Sequence, residues 1–134
     1  MATMQVELVS PERVVFSGEA TQVVTRTLAG DIAFLPGHTP FLGALTESHT
    51  RVFLADGGVL DVAVHGGFVE VSGNRVSILS DLAELGSEID VPRARAKMEA
   101  TEASLARDHD VETEAALRRA KARLAAAGGL EHRR

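Results

Sequence analysis

The chain has no cysteine, tryptophan or tyrosine, and only five phenylalanines among 134 residues. Without cysteine it has neither a disulfide framework nor a thiolate metal site, a composition that fits a reducing compartment. Without tryptophan and tyrosine, a core must be built from Val, Leu, Ile and Ala, which favours half-buried strands over an aromatic-lined cleft. Long apolar runs are missing too. No stretch approaches the roughly 20 residues that span a bilayer, and residues 1–10 lack the basic-then-apolar order of a secretion signal, so a soluble, unexported protein is expected. Positive charge is in the minority, at a formal net charge of −5. No Lys/Arg patch is interleaved with aromatics, and nucleic acid is not expected as a partner.

What is present divides into two segments. At 134 residues and 45% hydrophobic, the chain can hold one packed domain with an appendage, not two full domains. From Met4 to Leu79, short apolar runs of period two are broken by turn residues about every eight to twelve positions, the pattern of an all-β sandwich or barrel. Met4-Gln5-Val6-Glu7-Leu8, Leu60-Asp61-Val62-Ala63-Val64 and Arg75-Val76-Ser77-Ile78 alternate clearly, so each buries one face. Breaks are expected at Ser17-Gly18, Ala29-Gly30-Asp31, Pro36-Gly37, Asp56-Gly57-Gly58, Gly66-Gly67 and Ser72-Gly73-Asn74, where Gly, Asn and Asp tolerate positive φ.

After Leu79 glycine thins out, and Val91 to Ala127 is dominated by Ala, Arg, Glu, Lys and Leu, which are strong helix formers. Asp90 is a plausible N-cap, Pro92 suits a first turn, and Val91, Ala94, Met98, Thr101 and Leu105 follow at helical spacing. Asp108-His109-Asp110 interrupts the pattern and supplies another capping aspartate. Glu114, Leu117, Ala120, Leu124 and Ala127 then resume it before Gly128-Gly129, giving a second helix and an antiparallel hairpin. The fold class is therefore β + α: an N-terminal antiparallel β-sandwich over residues 1–86, then a C-terminal antiparallel two-helix hairpin over residues 87–134. Alanine contributes far less on burial than leucine at about 25 cal/mol per Å², so the hairpin is expected to dock weakly and to adopt more than one arrangement.

This layout resembles the epsilon (mitochondrial delta) subunits of F-type ATP synthases. Gly30-Asp31-Ile32-Ala33-Phe34-Leu35-Pro36-Gly37-His38-Thr39-Pro40 is similar to the segment of that family ending in Leu-Pro-Gly-His-x-Pro. His65-Gly66-Gly67-Phe68-Val69-Glu70-Val71, with Asn74 to Leu79, resembles its Gly-Gly-Phe hairpin, and Val6 to Arg13 its opening strands. The resemblance implies a non-catalytic rotor part without a cofactor of its own. Its sandwich would bind the gamma subunit and the c-ring, with Gly30, Leu35, Pro36, Gly37, His38 and Pro40 toward the rotor. Its hairpin would reach the alpha/beta head and restrain hydrolysis. Membrane association would come only through the complex, at the cytoplasmic face. Ile89-Asp90-Val91-Pro92-Arg93-Ala94 also resembles the motif with which some bacterial members bind ATP. That implies a regulatory ATP site made of Glu84, Ile89, Asp90, Arg93, Ala94, Arg119 and Arg123, with arginines on phosphate and a carboxylate on adenine or ribose. The chain departs from those relatives in offering no arginine near Ala100.

Plainer readings stand beside these. His38 and His65 lie beside turn glycines with no ligand cluster around them, which favours structural roles over metal binding. Asp81, Glu84, Glu88 and Asp90 lack the loop spacing of calcium motifs and read as a solvated linker. Asp90 and Arg93 can be simply a cap and a three-residue ion pair. Arg118, Arg119 and Arg123 are either a solvated helix face or contacts for acidic residues of the beta subunit. A free-standing ATP sensor is the rival function, and a small hydrolase is disfavoured because no nucleophile–base pair is evident.

Overall fold

The computed structural model describes residues 2–128; Gly129, part of the expected stop of the second helix, lies outside them. The strands are β1 (Met4–Val9), β2 (Val14–Thr27), β3 (Gly30–Phe34), β4 (Phe41–Ala44), β5 (Ser48–Leu54), β6 (Val59–Ser72) and β7 (Arg75–Leu85). A 3-10 turn, Gly86–Glu88, leads to the helices α1 (Val91–Arg107) and α2 (Val111–Ala126). The architecture is the sandwich followed by a helical hairpin that the alternation predicts.

The period-two pattern sets which face is buried in β1 and β5, but not in β6, where Val62, Ala63 and Val64 are all buried because α2 covers the second face. Met4, Val6 and Leu8 of β1 are buried while Gln5, Glu7 and Val9 are not, and Ser48, Thr50 and Val52 of β5 repeat the pattern. The strands close a ring, β1-β7-β6-β5-β2 and back to β1, with β3 added beside β2 and β4 beside β6. The ring is flattened into two layers because its long strands change partners midway. β2 pairs first with β1 and then with β5 and β3. β6 pairs first with β5 and then with β4, while β7 follows it throughout. The ladders are antiparallel except β1 with β7, which is parallel. Between the layers, Val23, Phe34, Val52, Val62, Val64, Val69, Val76 and Ile78 are fully buried. Buried Thr25, Ser48 and Thr50 satisfy one another, with oxygens 2.7 Å apart for Thr25–Thr50 and 2.9 Å for Ser48–Thr50, as buried hydroxyls must.

Two expected breaks are not breaks. Ser17-Gly18 lies inside β2, and Gly66-Gly67 lies inside β6. At Gly66-Gly67 the backbone takes φ of 74° and 105°, just where β6 exchanges β5 for β4. A Cβ on Gly67 would stand 2.0 Å from the Leu79 carbonyl oxygen. Glycine here bends a continuous strand rather than ending it.

The helices start as their sequence predicts. Asp90 accepts the Arg93 N–H at 3.1 Å and Asp110 that of Thr113 at 2.8 Å, and Pro92 sits in the first turn of α1. The α2 helix lies on β5 and β6, burying Ala120, Ala122, Leu124 and Ala126. The α1 helix packs chiefly on α2, with Ala94 and Thr101 buried.

Asn74, at the turn between β6 and β7, joins three segments from a left-handed backbone of φ 61°. Its Oδ1 accepts the Gly37 N–H at 3.0 Å, its Nδ2 donates to the Thr3 carbonyl at 2.9 Å, and its own carbonyl accepts the Gln5 N–H. Replacing Asn74 by Gly keeps the backbone and removes both side-chain bonds; an expected loss of about 1 kcal/mol follows in urea unfolding, with faster amide exchange at Gly37 and His38. Unchanged exchange at Gly37 would show that the staple does not hold that loop.

Candidate functional site at the junction of sandwich and hairpin

The end of β7, the 3-10 turn, the start of α1 and the last turns of α2 enclose an open cleft of about 720 Å³. Six of the seven residues expected to hold ATP line it: Glu84, Ile89, Asp90, Arg93, Ala94 and Arg123. Arg119 does not. It sits one helical turn before Arg123, bonds Glu112 at 2.9 Å, and lines a groove between the two helices instead. Lys97, one turn beyond Arg93, faces the cleft as well.

Glu84 is the centre of the charge arrangement. Its Oε1 accepts from Arg123 Nε at 2.7 Å and from His65 Nε2 at 3.0 Å. His65 is buried, and its Nδ1 has no hydrogen-bond partner among the described residues. The His65 hydrogen bond, helped by Arg123 and opposed by partial burial, holds the Glu84 carboxyl down at about 2 from an ordinary 4.5. Glu88 is taken by Arg13 in a two-bond pair of 3.0 and 2.6 Å, which lowers its pKa. That pair ties the linker to the turn between β1 and β2. The Asp90 side chain is engaged as the α1 cap. Arg93, Lys97 and the remaining N–H donors of Arg123 are the groups suited to a phosphate.

The rotor-side candidates fall in two places. Gly30 opens β3 with φ 123°, whereas Leu35, Pro36, Gly37, His38 and Pro40 follow its far end, roughly 15 Å away by strand rise. The His38 ring packs edge-on to Phe34, centroids 5.0 Å apart, and its Nδ1 lies 2.7 Å from the Thr39 carbonyl. Leu35 beside it is 54% exposed. Among the described residues no cluster of His, Asp or Glu has the geometry to hold a metal ion.

Residues 3–86 match the family model described as the ATP synthase delta/epsilon chain, beta-sandwich domain. The chain belongs to the ATP synthase delta/epsilon family. It is 45% identical over 128 residues to an ATP synthase epsilon chain of Streptomyces coelicolor, covering 96% of this chain and 98% of that one. It is 46% identical to the epsilon chain of Thermobifida fusca, covering 91% and 90%. In fold it is similar to a chain in the Euglena gracilis mitochondrial ATP synthase, at TM-score 0.73, 20% identity, and 96% and 79% coverage. A chain in the central stalk and c-ring of the Tetrahymena thermophila enzyme gives TM-score 0.61 at 18% identity, covering 96% and 98%.

Sequence reasoning about this delta/epsilon chain missed His65 as a partner of Glu84, because only the register of β6 with β7 brings the two together. It also missed Glu47, which accepts from Arg118 Nε at 3.1 Å. Burial opposes ionisation of Glu47, but Arg118 and neighbouring hydrogen bonds outweigh it and lower the pKa. All three arginines at 118, 119 and 123 thus bond carboxylates of this chain, two of them on the sandwich. No signal in a single sequence pairs residues so far apart.

The depressed pKa of Glu84 has a defined sign. Its contribution to docking is present above about 4.5 and is lost as pH falls toward about 2, as protonation removes the charge that Arg123 and His65 contact. Docking of α2, followed by amide exchange at Leu124, is expected to weaken over that window. Glu84→Gln should flatten this dependence, and an unaltered profile in the variant would assign the pH effect elsewhere.

Proposed function

We propose that this chain is the non-catalytic epsilon subunit of a proton-translocating F-type ATP synthase, a rotor part whose hairpin acts as a brake on ATP hydrolysis. Residues 1–86 would form the rotor-binding unit and residues 87–134 the regulatory one. The observation that carries the reading is the hairpin's attachment: one helix rests on the sandwich through Leu124, three alanines and two ion pairs, and the other rests chiefly on the first helix. Such an attachment suits an element with two arrangements of similar free energy.

The partner surfaces are read from exposure and register. On the layer that α2 leaves uncovered, Phe68 pairs with Leu79, which pairs with Val9, which pairs with Val14. Leu42 lies on the same side, through the pairing of Leu42 with Glu70 and Ala44 with Phe68. Leu42, Phe68, Leu79 and Val14 are 72%, 57%, 54% and 63% exposed, and a contiguous apolar stripe of this kind marks a macromolecular partner. In this reading gamma covers the stripe, the Leu35–Pro40 loop meets the c-ring, and the freed hairpin reaches the alpha/beta head. No described helix is long and apolar enough to cross a membrane, so attachment to the cytoplasmic face would be peripheral, through the complex.

The cleft gives a second, regulatory reading: ATP bound by Arg93, Lys97 and Arg123 would bridge α1, α2 and the sandwich and favour the docked hairpin. No resident cofactor is needed for coupling. Calorimetry on the whole chain is expected to give a Kd of about 1 mM or tighter for ATP, weakened about tenfold or more in Arg93→Ala, where a charge-assisted contact is lost. Absence of heat at millimolar ATP would remove both this reading and that of a free-standing ATP sensor.

The rotor assignment is tested by adding full-length protein, or a chain ending at Glu88, to a catalytic complex that contains gamma and lacks this subunit. Both are expected to bind and only the full-length chain to slow hydrolysis, while Phe68→Glu weakens binding of each. Failure of both chains to bind would overturn the assignment.

A further inference from the structure

Gly86 opens the 3-10 turn and is buried. It is not among the glycines with positive φ, so its backbone is one that any residue can adopt. The sandwich asks for less, since the sandwich atom nearest to an added Cβ is the Asp61 carbonyl oxygen at 3.3 Å, a tight contact that a shift of a few tenths of an ångström relieves. The demand comes from α2. A Cβ on Gly86 would stand 2.1 Å from the carbonyl oxygen of Ala126 and 2.8 Å from its carbonyl carbon. That obstacle is main chain at the last residue of the helix. No rotamer change moves it aside, so the helix end and the turn must part, and the turn is held by the Arg13–Glu88 pair.

We propose that Gly86 is the seat of the docked hairpin: the missing side chain admits the last turn of α2 against the sandwich, and any larger residue there holds α2 off. The turn that fits is the one carrying the other attachments. Arg123, which bonds Glu84, and fully buried Leu124 stand within three residues of Ala126. A helix end displaced by an ångström or more loses its close fit over that whole turn. Docking is thus selected by close approach of two backbones, with Glu84 and Arg123 acting only once that approach is made. This deepens, and rests on, the reading of the hairpin as an element with a docked and a released arrangement.

The absence of cysteine permits a direct test. Spin labels are placed through Glu70→Cys on the sandwich and Lys121→Cys on α2, both exposed positions, in the full-length chain with and without Gly86→Ala. The parent is expected to give one narrow distance. Gly86→Ala should reduce that population about tenfold or more, as overpacking of a close contact does, and speed amide exchange at Leu124, while β6 and β7 keep their protection. Ser87→Ala, one residue on and exposed, should change neither. Retention of the narrow distance in Gly86→Ala would overturn the proposal, as would loss of protection in β6 and β7 together with α2, which would make Gly86 a requirement of the sandwich. A parent already without the narrow distance would overturn the docked arrangement itself, a failure visible before any change at Gly86.

Discussion

Everything in this chain depends on closing the ring of strands with so few large side chains. A core made mostly of Val, with Phe34 its one fully buried aromatic ring among the described residues, has little bulk to fill a wide interior, so the two layers lie close together. The cost is that β2, β6 and β7 must pass from one layer into the other. Glycines at 66 and 67 carry that bend in β6, where the Leu79 backbone comes too near for any side chain. The parallel pairing of β1 with β7 completes the ring, and the short strands β3 and β4 are each paired on one side, where a short strand keeps the open edge small.

The junction below the hairpin obeys a different rule. Its apolar contacts are mostly alanine, so specificity there falls to shape and charge rather than to buried area. Glu84 takes two donors from two elements on one oxygen, and its low pKa records how strongly the charged form is preferred. Because the pair is partly open to water, its free energy is modest. Its geometry matters more, since Glu84 is at once the anchor of α2 and a wall of the cleft.

The sequence was most legible where a local pattern decides the outcome. Alternation in β1 and β7 and the capping aspartates at 90 and 110 are each read within a few residues and stand in the structure, whereas the helix stripes hold only in part: Ala94, Thr101, Ala120 and Leu124 are buried as expected, but Ala122 and Ala126, off the expected stripe, are buried too. Ser17-Gly18 and Gly66-Gly67 misled because glycine signals a special backbone without saying whether the chain turns or merely bends. Contacts such as His65 with Glu84, Glu47 with Arg118 and Arg13 with Glu88 were not legible, because each depends on a register or a docking pose set by many distant residues. The departure of Arg119 from the cleft has the same origin: helical spacing places it one turn from Arg123, but only the tilt of α2 on the sheet decides which turn faces the linker.

The two-bond pair between Arg13 and Glu88 has a mechanical meaning for the linker. It fastens the 3-10 turn to the sandwich up to Glu88, and α1 is capped from Val91, so in the proposed release of the hairpin Ile89 and Asp90 are the residues left to turn. A 17-residue α1 would in that case be a lever arm of roughly 25 Å pivoted there. Rotation of a few tens of degrees about two residues sweeps the far tip, near Asp108, through a distance comparable with the thickness of the sandwich itself.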